Sequence, residues 1–201
     1  WVSLMAGSPQ LPLSATHADF LLPFHLEGAA VSGRMVRLGA AANGVLSCHD
    51  YPAPIATLLG ETLILAVGLA GALKYDGVFT LQTKGNGPVS FLVADVTSDG
   101  ALRGYAQFDA ARVPQKVPVR PEGQSVPAWL GAGHLAFTVD QGPGTQRYQG
   151  IVGLEGATLA ECAHHYFRQS EQVETAIKIC VEKHIDGWRA AALFLQRLRS
   201  E

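Results

Sequence analysis

IATLLGETLILAVGLAGAL, residues 55–73, is almost uniformly apolar and long enough to cross a bilayer. Whether it is a membrane span or a core helix decides the fold. Glu61 lies inside the stretch, where an ionised carboxylate at bilayer depth costs about 2–3 kcal/mol. Asp50, Pro52 and Pro54 just upstream make a helix start of the soluble type, and no second span follows. A helix that is apolar on all sides belongs in the middle of a domain, so the stretch is expected to be a long buried helix.

The rest of the composition fits that reading. The chain of 201 residues is long enough for one domain with a real core, and 48% of its residues are hydrophobic against 16% charged. That charged share is below the roughly 25% of an average soluble domain, so much apolar surface must be hidden or presented. The net charge is only −2 and no basic run occurs, which argues against nucleic acid and an anionic membrane as partners. Cys48, Cys162 and Cys180 are odd in number, far apart and without a C-x-x-C pair, so a disulfide framework is not expected and a reducing cytoplasm is. Residues 1–19 include WVSLMAGSPQLPLSAT, which has no basic n-region and two prolines, and are expected to be a disordered or extraneous tail before a domain over residues 20–201.

Along the chain, VSGRMVRL (31–38) reads as a strand and AANGVLSCHD as a short helical turn before the long helix, which KYDG stops. VFTLQTK, VSFLVADV and ALRGYAQF, joined by GNGP and TSDG, form an antiparallel meander. In its middle run Phe91 and Val93 share one face and Leu92, Ala94 and Val96 the other, so both faces are expected to need cover. Residues 109–128, rich in proline and polar groups, are expected to be one long loop. HLAFTVDQ and RYQGIVGL flank the turn GPGT; a helix and two strands, TAIKICVEK and AALFLQRL about Asp186-Gly187, complete the chain.

Residues that could carry chemistry fail on spacing. Thr158-Leu-Ala-Glu161 is a capping box that starts a helix. Leu159, Cys162, Ala163, Tyr166 and Phe167 then form one apolar stripe, so Cys162 is a packing residue. His164 and His165 are adjacent on that helix and diverge by about 100°, which keeps them from converging on one ion. Cys180 and His184 lie on a strand, about 13 Å apart at ~3.3 Å per residue, too far for one zinc. Cys48-His49-Asp50 holds nucleophile, base and acid types in a row, but consecutive side chains diverge and triads are assembled from separated segments. KGNGPVS joins two strands and lacks the lysine and hydroxyl of a P-loop, and neither G-x-S-x-G nor H-E-x-x-H occurs. No catalytic, cofactor-binding or metal residue is assigned; a protein that binds through its surface, without turnover or ATP, is favoured over an enzyme.

The strings HDYP (49–52), LKYDG (73–77), GNGP (85–88), RYQG (147–150) and FRQSEQ (167–172), in this order, closely resemble the N-terminal core of the heat shock protein 33 family, from about Phe20 to Leu198. The resemblance implies an α+β fold: a layered β/β/α core with a mixed, largely antiparallel sheet. It implies a stress-response holdase, redox-regulated, that binds unfolding clients without ATP after oxidative stress and that dimerises, in some members by exchanging segments. It also implies a C-terminal domain that holds zinc through four thiolates in C-x-C and C-x-x-C pairs. Neither pair is present up to Glu201, and none of Cys48, Cys162 and Cys180 matches a family zinc ligand. The expectation is therefore a core without its zinc domain, binding no metal and holding clients regardless of peroxide, with the client surface not identifiable from sequence. The competing readings are a thiol-dependent enzyme using Cys48 or Cys162, and a passive structural module.

Overall fold

The computed structural model describes residues 2–3, 19–26, 28–113, 125–142, 144–145 and 147–198. The stretch that decides the fold forms α2 (Ala53–Ala70), with Pro52 at the N-cap and Pro54 in the first turn, where a missing N–H costs nothing. The helix ends three residues before the apolar run does, where Gly71 N donates to Val67 O, and Leu73 lies past it, partly exposed. Ile55, Leu58, Leu59, Leu63, Ile64 and Leu65 are fully buried, which assigns the helix to the interior.

Two antiparallel sheets enclose it. The first has the order β1-β6-β5-β4-β7-β8 and the second β2-β3-β10-β9. Their strands are β1 (Val2–Ser3), β2 (Phe20–Leu26), β3 (Val31–Leu38), β4 (Val78–Gly85), β5 (Val89–Thr97), β6 (Ala101–Phe108), β7 (Gly133–Asp140), β8 (Tyr148–Gly153), β9 (Thr175–His184) and β10 (Gly187–Arg197). The helix packs on β4, β5 and β6 of one sheet and on β3, β9 and β10 of the other. Phe79, Leu81, Leu92 and Leu102 line the core from the first side, and Val36, Leu38, Ala192 and Phe194 from the second. Each large side chain buried this way contributes about 1.5–3 kcal/mol. The α+β class, the largely antiparallel pairing and the long buried helix are as expected; the layering is sheet, helix, sheet where β/β/α was expected, and among the described residues every pairing is antiparallel, with no mixed sheet.

Close approach of α2 to the second sheet depends on Gly68. A Cβ there would lie 2.0 Å from Phe194 Cε2, inside the ring. Beside this contact Arg34 is buried on β3, its Nε donating to Gly68 O at 3.1 Å and its guanidinium lying 5.7 Å from the Phe194 centroid. The charge is thus satisfied by a carbonyl and an aromatic face, as a buried cation must be.

Several local expectations are refined. The meander is β4-β5-β6, but only the face of Leu92, Ala94 and Val96 is sealed; Phe91 and Val93 face outward and are half-buried. On that outer face Asp95 is buried because Thr80 Oγ1 donates to it at 2.6 Å and Arg103 Nε at 2.9 Å. Of the expected loop, residues 114–124 lie outside the described residues. Its end does not behave as a loop: Val126–Leu130 is a π-helical turn that buries Val126, Trp129 and Leu130, because its side chains are apolar whatever its proline suggests. Strand β2 had no counterpart in the sequence reading. Asp19, counted there with the tail, accepts from Gly39 N at 2.6 Å and Ala41 N at 3.0 Å and so caps α1 (Ala40–Leu46). Residues 4–18 of that tail lie outside the described residues, and Val2–Ser3 pairs with β6.

Candidate functional site

The thiols and imidazoles are spread across the fold. Cys48 follows α1, is exposed, and donates from Sγ to Gly44 O at 2.9 Å. The ring of His49 lies edge-on to Tyr51 at 5.4 Å and to Tyr105 at 5.9 Å. Cys162 is buried on α3 (Leu159–Tyr166), and burial first, then the Glu161 charge, pushes its thiol up to about 11. A thiol held protonated is a poor nucleophile. Cys180 is exposed on β9, its thiol also raised, by partial burial and then by Glu182. The rings of His164 and His165 are 6.2 Å apart and inclined by 50°. Among the described residues no group of three or more ligand-type side chains converges, so the zinc set that the resemblance implies does not fit the cysteines present. The capping box forms with a shift: Glu161 N donates to Thr158 Oγ1 at 3.2 Å, but the Glu161 carboxylate accepts from Ala157 N at 2.8 Å, one residue earlier than the motif predicts.

A more informative feature is the outer face of the second sheet. Successive residues of a strand point to opposite faces, and the register aligns the outward ones in rows. Leu22, Met35 and Leu193 form one row with Lys178; Phe24, Gly33 and Leu195 form the next with Ala176; Phe20, Arg37, Ala191 and Cys180 form a third, and Leu26 and Val31 end the face beside Arg197. The far end of the Phe24 ring lies against Gly33, where a Cβ would come within 2.2 Å of Cζ. The helix α2 is on the opposite face, and Met35 and Leu26 keep 45% and 47% of their surface exposed. This is a sheet face composed like a core yet open to solvent, rimmed by Arg37, Lys178, Glu182 and the Arg197–Glu174 pair. An apolar patch of that kind with a polar rim marks a surface that meets another macromolecule. Sequence alternation along Ile177, Ile179 and Val181 placed β9 correctly; what it missed was β2, which supplies Phe20, Leu22 and Phe24 to the patch.

At the far end of α2, Tyr148, Tyr166 and Glu171 form a hydrogen-bonded cluster at the rim of an apolar cavity of about 220 Å³. Glu171 belongs to the π-helical turn Phe167–Glu171 that continues α3. The RYQG (147–150) and SEQ (170–172) strings, separated by α3, thus meet in space. GNGP is equally structural: Gly87 N donates to Leu130 O at 2.8 Å and Asn86 Oδ1 accepts from Ala132 N at 2.9 Å, tying the hairpin tip to β7.

These contacts agree with a match found across almost the whole described chain: the family model described as "Hsp33 protein" fits residues 19–201. The chain belongs to the Hsp33 family. A protein named 33 kDa chaperonin from Caulobacter vibrioides is 43% identical over 185 residues, which is 89% of this chain and 60% of that protein. Another of the same name from Ectopseudomonas mendocina is 41% identical over 180 residues, 90% of this chain and 57% of that one. The crystal structure of a 33 kDa chaperonin from Thermotoga maritima superposes with a TM-score of 0.74 at 28% identity, covering 88% of this chain and 60% of that one. This Hsp33 family chain therefore spans about 60% of the length of the relatives it matches. They are named as chaperonins and not as catalysts, in keeping with a site built of surface.

Proposed function

We propose that this domain is an ATP-independent holdase: it binds unfolding proteins on the outer face of the second sheet and keeps them from aggregating. The observation that carries the reading is the row Leu22, Met35 and Leu193, half-exposed on a regular sheet that has its own core on the other side. A client stripped of its structure exposes apolar side chains, and burying them against this face removes area from water on both partners at about 25 cal/mol per Å². Such recognition is indifferent to sequence, as a holdase requires. The same face offers a second copy a place to sit, so a homodimer belongs to this reading. Three cysteines that form no disulfide suit a reducing cytoplasm.

Redox control, as the family resemblance implies it, works through thiols that this stretch of chain does not bring together. We therefore expect this domain to hold clients equally with and without peroxide. The test is light scattering of a heat-aggregating client at increasing ratios of this protein. Wild type suppresses scattering; Met35→Asp and Leu193→Asp, which place charge in the patch while leaving the core side untouched, lose most of the suppression with an unchanged circular dichroism spectrum. Suppression undiminished in both variants rejects this face as the client surface.

A further inference from the structure

The hydrogen-bond register of the second sheet shows which main-chain groups its edge strands leave open. Leu198 N donates to Ala30 O at 2.7 Å on one side of the β10 strand, and Arg197 N donates to Glu174 O at 3.0 Å on the other. Antiparallel ladders alternate strictly, so odd-numbered residues of β10 serve β9 and even-numbered residues serve β3. On β9, Ala176, Lys178, Cys180 and Glu182 are then the residues paired to β10, and Ile177, Ile179 and Val181 turn their N–H and C=O groups outward.

The edges of the two sheets are not equally open. On β2 the same alternation puts Leu21, Pro23 and His25 outward, and Pro23 has no N–H to offer, which blunts that edge in the usual way. On β6, Val2–Ser3 pairs at one end and the Tyr51 hydroxyl accepts from Ala106 N at 3.2 Å. Among the described residues the β8 edge is also open, but it spans only six residues. The β9 strand runs for ten, contains no proline, and among the described residues nothing pairs with its outer side. Its Lys183 does not guard the edge, since the ammonium lies over the Trp188 ring at 5.6 Å. Alongside runs a groove of about 430 Å³ between α3 and the strand, walled by Glu161 and His164 on one side and Ile177 and Ile179 on the other.

We propose that the free edge of β9 captures an extended segment of an unfolded client as an added strand, main chain to main chain. The occupant follows from the chemistry of the site. A row of alternating donors and acceptors at strand spacing is complementary to extended polypeptide backbone, which an unfolded client exposes along its whole length. A folded protein offers only the short free edges of its sheets. An added strand would lay alternate side chains into the groove beside Ile177 and Ile179, and the others onto the continuation of the apolar outer face next to Ala176 and Cys180. Main-chain pairing would supply affinity that is independent of client sequence, and the apolar outer face would favour apolar segments. The proposal rests on the holdase reading and gives it a second contact.

Residue-resolved amide exchange by NMR decides it, on the wild-type protein with reduced, carboxymethylated α-lactalbumin as a permanently unfolded client and size-exclusion chromatography to establish the complex. In the free protein the outward amides of Ile177, Ile179 and Val181 exchange quickly. In the complex they slow by about tenfold or more, and those of Gln149 and Ile151 on the β8 edge do not change. A complex that forms without slowing at β9, slowing at β8 in its place, or protection at β9 already present in the free protein overturns the edge proposal and leaves the holdase reading standing. Failure to form any complex overturns both.

Discussion

Tyr148 Oη and Tyr166 Oη both donate to Glu171 Oε1, at 2.7 and 2.8 Å, with the two hydroxyls 2.9 Å apart. One carboxylate oxygen thereby joins β8, the end of α3 and the turn after it, and burial together with these bonds raises the Tyr166 phenol well above its ordinary value. Hydrogen bonds to a charged group are the stronger kind, but the site is partly solvated, so a modest effect is expected. Glu171→Ala should cost about 1–2 kcal/mol in urea denaturation and Tyr148→Phe about 1 kcal/mol. The double variant should cost less than the sum, because both changes remove the same bond. Additive losses would show that the cluster does not act as a unit.

Gly68→Ala sets two effects against each other. In a helix interior alanine is favoured over glycine by about 1 kcal/mol. Against this, the new Cβ would sit 2.0 Å from Phe194 Cε2, and Phe194 is fully buried with Arg34 beyond it, so the ring has nowhere to go. Overpacking of a closed core typically costs about 1–3 kcal/mol. The clash should win, with a lower midpoint in thermal and urea unfolding; a variant more stable than wild type would show that the two layers can separate without penalty.

How far the sequence revealed this molecule depended on whether a signal was local. The capping box at Thr158, the stripe through Cys162 and the alternation of Ile177, Ile179 and Val181 are periodicities that need no partner, and each was legible. The position of α2 between two sheets was only half legible: apolarity on all sides said buried, but not by what. The strand β2 was hidden because FLLPFHL is apolar without alternation and carries Pro23, which argues against a central strand and is tolerated only because β2 is an edge. With β2 unseen, the apolar outer face could not be found either. The Tyr148–Glu171 contact lay in two strings that the resemblance singled out, but their meeting is a property of the fold.

Asp19 is the clearest case of a long-range cap. Gly39, the N-cap residue of α1, has no side chain, and the first turn is satisfied by the Asp19 carboxylate from twenty residues earlier. Loss of a cap of this kind costs about 0.5–2 kcal/mol. Asp19→Ala should therefore destabilise the domain by roughly 1 kcal/mol, and Asp19→Asn, which keeps one acceptor, by less. Amide exchange at Ala41 should speed up in both. An Asp19→Ala variant as stable as wild type would mean that water replaces the carboxylate at no cost.

The pH dependence of stability offers a test specific to Cys162. Its thiol is raised from an ordinary value of 9.0 to about 11, chiefly by burial. A group whose folded pKa is raised contributes stability that is complete below the unfolded value and lost as pH rises through the folded one. Between about pH 9 and 11 the unfolded chain can ionise this thiol and the folded chain cannot, so stability should fall by up to about 2 kcal/mol over that window. Tyrosines contribute to the same alkaline slope, Tyr75 among them at about 12, so the comparison must be with a variant. Cys162→Ala should be less stable at pH 8 because it leaves a small void, yet should lose less stability on going to pH 11, bringing the two curves together. Thiol counting gives an independent readout at pH 8: Cys48 and Cys180 should react with iodoacetamide in the native protein, and Cys162 only after unfolding. Ready alkylation of Cys162 in the native state, with parallel stability curves for the two proteins, would show that α3 opens on the timescale of labelling and that burial does not hold this thiol protonated.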